Sequence, residues 1–428
     1  MKSIKKLVLG LATILLTSQA CATSILHVWD DDGKSKGIAQ AVADFEELND
    51  CKVVIHEVPF ITQIDKLRLE GPSGMGPDVL MVPSDRAGAA VVQGLIAPIK
   101  FMQEDQDKYI RSAVSAFYRT GEIYAVPKVV ETLVMFYNKE YLKKPYDTLD
   151  EYFALSEKMV SQNDGKYGLL AKWDAFYYVF GALQPFGSYV FGTDSDGNLD
   201  ATEVGLSNEG AIKGVTLVKK FFDTGCFPKD IIGENGIAVI DHLFEDGKAA
   251  AVINGPWALE PYSKSNIKFG VSPLPILPNG KPMSSFLGVK GYAISTWAKD
   301  HDLAEAFLQF INQPKYAKER FVKTQEIPPL KSVMADPVIT NDEFANAIAV
   351  QASRAVPMPS IPEMSEVWGP IDGALEAIIT GKTSVNDGLK AATDHINYQI
   401  EAFRSGMWQF FIVNEGSRLW KIYCFFFP

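Results

Sequence analysis

The stretch "GPDVLMVPSDRAG", Gly76 to Gly88, decides the fold class of this chain. Gly76-Pro77 breaks regular structure, Val79 to Val82 is an unbroken apolar run, and Pro83-Ser84 breaks it again. A short apolar run between turn signals reads as a strand buried on both faces. Working outward, "SILHVW" (24–29) and "CKVVIHEV" (51–58) read as two more strands. Between them "GIAQAVADFEELN" places Ile38, Val42 and Phe45 on one helical face, and "ITQIDKLRLE" (61–70) gives a second helix. Strands alternating with helices imply an α/β lobe with a mostly parallel sheet. Such sheets bind ligands beyond the carboxyl ends of their strands, so Asp85 and Arg86 in "PSDR" are the first candidates.

A chain of 428 residues exceeds one average core, which predicts two lobes. The net charge of −11 argues against a nucleic-acid partner and against an anionic membrane surface. The N-terminal residues 1–22 carry a basic start (Lys2, Lys5, Lys6), an apolar stretch from Leu7 to Thr17 and a small-residue "ACA". That is the pattern of a secretory signal peptide, and export with a mature start near Thr23 is expected. Cys21 offers lipid attachment as another route, but Ser18 and Gln19 match its preferred context poorly. The other cysteines, Cys51, Cys226 and Cys424, have spacings that suit neither a disulfide framework nor a metal site. The five histidines form no ligand motif, so no metal and no cofactor is expected.

Further along, "EIYAVPKVVETLVMFYNKEYL" reads as strand, turn, strand and helix start. Helices ("NEGAIKGVTLVKKFFDTG", "AVIDHLFEDGK") and strands ("AAAVING", "IKFGVSPLP") then supply a second lobe. "SSFLGVKGYAIS" and the helical "DLAEAFLQFINQPKYAKERFVK" follow, and the segment from Met364 to Ile400 is helical. The tail, 403–428, is rich in aromatics without a clean period. Aromatics gather near turn signals at Trp29, Trp173, Phe176, Tyr177, Tyr178, Trp257 and Trp368, and polar groups occur in similar contexts at Asp85, Arg86, Glu131 and Asp174. Rings stack on the C–H faces of sugars while charged groups take the hydroxyls. Spacing alone leaves this reading level with core aromatics and solvated charges.

Four pieces resemble, in order and at suitable separations, the maltose/maltodextrin-binding proteins, receptors of ATP-driven sugar importers. They are "GPDVLMVPSDRAG", "YAVPKVVETLVMFYNKEYL", "AVINGPWALE" and "MPSIPEMSEVWGPIDGAL", within a likeness running from Leu26 to Ala392. The resemblance implies an α/β, two-lobed periplasmic-binding-protein fold (type II-like) with a three-segment hinge and the ligand cleft between the lobes. It divides the chain into lobe I (24–128 plus 285–336) and lobe II (130–284 plus 340–402). Crossings would fall near Pro127–Glu131, Ser284–Gly288 and Asp336–Asn341. Cys51 and Cys226 would then lie on different lobes, unable to pair.

The resemblance also implies an extracytoplasmic, monomeric receptor. It would capture a neutral oligosaccharide by hinge closure and deliver it to the permease subunits of an ABC importer. Its sugar-binding positions would be Asp85, Arg86, Glu131, Asp174, Phe176, Trp257 and Trp368, with Asp32 and Lys34 matching an early Asp-Lys pair across a gap. Trp257 after Asn-Gly-Pro becomes a stacking platform. Three departures qualify maltose as the ligand: Val82 and Asp372 stand where the family has a tryptophan and an arginine, and Phe176 lacks a tyrosine hydroxyl. The rival readings are a glycoside hydrolase, for which no motif pairs two carboxylates, a receptor for another sugar, and a receptor for peptides or oxyanions.

Overall fold

The computed structural model describes residues 24–162, 164–194 and 198–415, with the backbone alone over 407–415. The signal-like N-terminus with Cys21, and the last residues with Cys424, lie outside the described residues. The chain begins β1 (Ser24–Asp30), α1 (Ala39–Asn49), β2 (Cys51–Glu57), α2 (Phe60–Glu70), β3 (Val79–Pro83) and α3 (Ser84–Val92). Every residue of β3 is buried, as its unbroken apolar run requires of a strand covered on both faces. β1 runs parallel to β2 and to β3.

The next strands are β4 (Val126–Glu131), β5 (Val134–Asn138), β6 (Tyr167–Leu170), β7 (Ala249–Asn254), β8 (Phe269–Ser272) and β9 (Phe286–Ser295). β9 lies between β3 and β4 and is antiparallel to both. The first sheet is therefore mixed where the sequence pattern predicts a mostly parallel one. Its last long strand returns from the other lobe, running against β3. The second sheet has the order β8-β5-β7-β6. The molecule is a two-lobed α/β fold, with one large sheet in each lobe and, among the described residues, two two-stranded sheets besides.

Two local expectations change. "NKEYL" forms a single turn, with Leu142 N–H on the Asn138 carbonyl, because Pro145 disfavours helix just before it. The helix begins at Leu149, under a Thr148–Glu151 capping box. The stretch after Asp300 splits into His301–Ile311 and Pro314–Thr324, with Pro314 at the favoured first helical position. The C-terminal helix runs from Val385 to Glu415, so the aromatic tail begins inside it. Arg404 holds that helix to Glu363 at 2.9 Å.

The chain leaves the first sheet at the end of β4 and enters the second at β5. It returns through Ser284 and Ser285 into β9. Thr132 ties these two passages, with its hydroxyl 2.5 Å from that of Ser285 and donating to the Phe286 carbonyl at 2.9 Å. Val130 N–H donates to the Ile327 carbonyl, tying β4 to the chain that leads toward the third passage expected near Asp336–Asn341.

Beneath the three passages lies a buried charge cluster. Lys128 Nζ on β4 is 2.9 Å from Asp30 Oδ1 at the end of β1 and 3.3 Å from Glu326 Oε1. Tyr292 on β9 donates to Asp30 Oδ2 at 3.0 Å, and its ring centroid lies 5.0 Å from the ammonium. Burial alone would depress the Lys128 ammonium, but the charges of Asp30 and Glu326 outweigh it and raise its pKa.

Lobe II carries α4 (Phe176–Leu183) and α5 (Trp368–Ile379), packed on Glu209–Asp223 and on the C-terminal helix. Asp372 on α5 accepts the Phe176 backbone N–H at 2.6 Å, supplying an acceptor to the N-terminus of α4 from outside that helix. The charge reversal at this position thus has a structural use.

Two measurements test these supports. Lys128→Met leaves the Asp30 carboxylate buried without its counter-charge and should cost about 3–5 kcal/mol in urea unfolding. Adding Asp30→Asn should recover part of that loss. Burial pushes the Asp372 carboxyl up to about 6. The folded protein then holds this proton more tightly than the unfolded chain, so the carboxyl's contribution is greatest in acid and fades as pH rises through about 6. Asp372→Asn keeps the acceptor without the charge. Relative to the parent, it should gain roughly 1 kcal/mol between about pH 4 and pH 7, compared by urea unfolding at both pH values.

Candidate functional site

Two sets of elements face each other between the sheets. From the first lobe come the ends of β1 and β3 with the starts of α2 and α3. From the second come the turn after β7, the start of α4 and the start of α5.

The turn after β7 explains Trp257. Asn254 is fully buried; its Nδ2 donates to Asp241 Oδ1 at 2.7 Å and to the Tyr262 hydroxyl at 3.1 Å, and its Oδ1 accepts the Gly255 N–H at 2.8 Å. The Tyr262 hydroxyl also donates to Asp241 at 2.5 Å. These bonds fix the strand end, and Pro256–Ala258 forms a tight helical turn behind it. The indole of Trp257 folds back over Gly255, where a Cβ would collide with its ring. Held in that way, Trp257 is half-buried, with its ring 6.1 Å from that of Tyr177.

Tyr177 and Tyr178 continue the aromatic wall. Burial first, then the charge of Glu131, pushes the Tyr177 hydroxyl up, so this ring stands in the field of the first lobe's carboxylate. Phe176 itself is fully buried, with its ring 5.7 Å from Phe180, 5.6 Å from Phe286 and 5.8 Å from Trp368. It supports the wall from behind. Trp368 is half-buried and 6.0 Å from Phe286.

The first lobe presents acids. Asp85, in the first turn of α3, accepts the Trp368 indole N–H at 3.1 Å, a bond that joins the lobes. Burial raises the Asp85 carboxyl, against the pull of Arg86 and of the Trp368 bond. Glu131, at the end of β4, is 3.1 Å from Lys290 Nζ. Lys290 also lies 3.9 Å from Asp31 Oδ2, with its ammonium 3.8 Å from the Phe60 ring centroid.

The remaining candidates sit elsewhere. Arg86 turns toward α2, donating to the Ile61 carbonyl at 3.1 Å and lying 3.6 Å from Asp65. Asp174 is buried, paired with Lys172 and accepting the Gly233 N–H at 2.7 Å. Trp173 is buried against Phe221 and Phe227. Asp32 is exposed, and Lys34 reaches the Thr324 carbonyl at 3.4 Å. Val82 is fully buried in β3. Cys51 and Cys226 are buried and free. The structure therefore gathers Asp85, Glu131, Trp257 and Trp368, and adds Asp31, Phe60, Tyr177 and Lys290. Lys290 had one visible signal, as the sole charge in the otherwise uncharged strand "FLGVKGYAIS".

Two more contacts close the lobes on each other. Lys36 meets Glu260 at 2.6 Å. Gly88 on α3 packs on the backbone before Trp368: a Cβ there would stand 2.5 Å from the Ser360 oxygen and 2.7 Å from the Pro362 nitrogen.

Comparison with known proteins fits this two-sided cleft. Residues 40–347 match the family model described as "Bacterial extracellular solute-binding protein". The galactooligosaccharide-binding protein of Bacillus subtilis is 42% identical, over 90% of this chain and 91% of its own. The maltodextrin-binding protein of the same organism is 32% identical, over 87% of this chain and 90% of its own. Among solved structures, MalX from Streptococcus pneumoniae in complex with maltopentaose superposes with a TM-score of 0.81 at 31% identity, covering 87% of this chain and 100% of that one. The chain belongs to the bacterial extracellular solute-binding proteins, receptors that work outside the cytoplasm.

Proposed function

We propose that this receptor captures a short neutral oligosaccharide and hands it to the permease subunits of an ABC importer, acting as a monomer. The observation that carries this reading is the half-buried wall of Trp257, Tyr177 and Trp368 on one lobe, set against Asp85 and Glu131 on the other. The rings offer apolar faces for sugar C–H groups, and the carboxylates accept hydroxyl protons. Asp31, Glu131 and Asp85 outnumber the nearby cation Lys290, which disfavours uronates and phosphorylated sugars.

Galactosyl chains are the preferred ligands in this reading, ahead of long maltodextrins. The family's first-lobe tryptophan platform is absent, since Val82 stands there and is buried in its strand; on the second lobe Phe176 spends its ring on packing. A galactosyl ring concentrates its C–H groups on one face and so makes full use of a single platform. The similarity to a galactooligosaccharide-binding protein supports the same choice. The lobes in this reading are 24–128 with 285–336 and 130–284 with 340–402, except that β4 stays in the first sheet through Glu131, which puts Glu131 on the first-lobe side of the cleft. Hydrolysis is not expected, because Glu131 is engaged by Lys290 and Asp174 by Lys172; no reducing ends should appear on incubation with oligosaccharides.

Calorimetry against galactosyl and maltosyl di- and trisaccharides tests the reading. Trp257→Ala should weaken binding by about 1–3 kcal/mol, the scale of a lost stack with its buried area. Unchanged affinity would return Trp257 to a packing role. A ligand that bridges the lobes binds the closed arrangement better and shifts the population toward it. Small-angle scattering should accordingly show the radius of gyration falling when the sugar is added. A tightest ligand of maltotriose or longer would overturn the galactosyl preference.

A further inference from the structure

We propose that Lys290 is a specificity-determining residue, its ammonium and the Glu131 carboxylate together reading two neighbouring hydroxyls of one sugar ring. The inference rests on the oligosaccharide reading above and adds to it a residue and a recognition rule.

Lys290 is the sole charged residue of β9, and its side chain is 12% exposed. A lysine at such a position needs a use for its charge, because removing an ammonium from water is costly. Glu131 balances that charge, Asp31 lies near, and the Phe60 ring covers one side of the ammonium. Its charge also reaches Asp85 across the same space. Among the described residues its one hydrogen bond goes to Glu131, yet an ammonium carries three donors. Three neighbouring first-lobe cations are committed: Lys128 to Asp30 and Glu326, Arg86 to Ile61 and Asp65, and Lys34 to the Thr324 carbonyl. Lys290 keeps a donor beside an acceptor, with the Phe60 ring, occupied by the ammonium, next to both.

The spacing suggests what it reads. Lys290 Nζ and Glu131 Oε1 are 3.1 Å apart, close to the separation of two gauche hydroxyl oxygens on adjacent ring carbons. The ammonium donates to one hydroxyl, and the neighbouring hydroxyl donates to the carboxylate. A trans-diaxial pair, or a ring lacking either hydroxyl, cannot meet both groups, so the site selects for a gauche pair of neighbouring hydroxyls.

The test is calorimetric, on the full chain, with galactotriose, maltotriose and the monodeoxy derivatives of whichever binds more tightly. Lys290→Met should weaken the parent sugar roughly tenfold to a hundredfold, the scale of a charged hydrogen bond. One monodeoxy sugar should lose a similar factor on the unaltered protein, yet bind the Met variant as well as the parent sugar does. That non-additivity is something mere loss of packing would not produce. Lys290→Gln, which retains a neutral donor, should fall between the two, and it carries the comparison if the Met variant does not fold. Affinity within twofold for the variants, or equal deoxy losses with and without Lys290, would overturn the role given to Lys290 and leave the oligosaccharide reading standing. Failure of the unaltered protein to bind either trisaccharide would overturn that reading, and this inference with it.

Discussion

A lysine with no exposure holds the hinge end of the first lobe together. Lys128 sits on the strand that makes the first passage between lobes and pairs with the tip of β1. It also pairs with Glu326, next to the residue that bridges β4, while Tyr292 from the returning strand shares Asp30. Each partner would be an uncompensated charge or an unmet hydroxyl if the others moved. The cluster therefore fixes four chain segments relative to one another, at the place where the lobes must rotate. A moving joint needs one stiff side, and the buried ion cluster provides it. Cation and anions in the dry interior attract strongly only in good geometry, so this arrangement favours one register over its neighbours.

The site depends on that stiffness. Asp31 follows Asp30, and Glu131 ends the strand of Lys128 three residues further on, so the cleft's polar groups share their strands with the buried cluster. Lys290 stands two residues before Tyr292 on β9. The first lobe thus turns a structural ion cluster into a presented row of polar groups. The second lobe uses packing instead. Its aromatic wall is oriented by the Asn254–Asp241–Tyr262 bonds under Trp257, and by Asp372 at the start of α4.

Much of this was legible in the chain. The apolar run Val79–Val82, the Asn-Gly-Pro turn before Trp257 and the helix signals gave the elements because local chemistry decides them. Asp85, Glu131, Trp257 and Trp368 were reachable by resemblance, and the structure brings them together. Asp174 and Arg86 show what sequence position does not carry. Both stand where a binding group is expected, but each has a nearby partner, Lys172 or the Ile61 carbonyl, that claims its side chain. Which partner wins is decided by three-dimensional distance. The antiparallel entry of β9 was hidden for the same reason, since strand direction depends on where a chain returns. Lys290 was visible as an oddity in an uncharged strand, but its neighbours Asp31, Phe60 and Glu131 come from three other segments.

Gly88 sits where α3 meets the second lobe. Its missing side chain lets α3 rest on the Ser360–Pro362 backbone, main chain against main chain across the lobes. Such a contact has no rotamers to adjust, so it acts as a mechanical stop. How far the lobes approach is then set by the volume at one small residue. Apparent affinity includes the work of reaching the closed arrangement. Descendants of this chain could therefore trade tight capture for fast release by changing a single atom group at that stop, while the sugar-facing residues stay as they are.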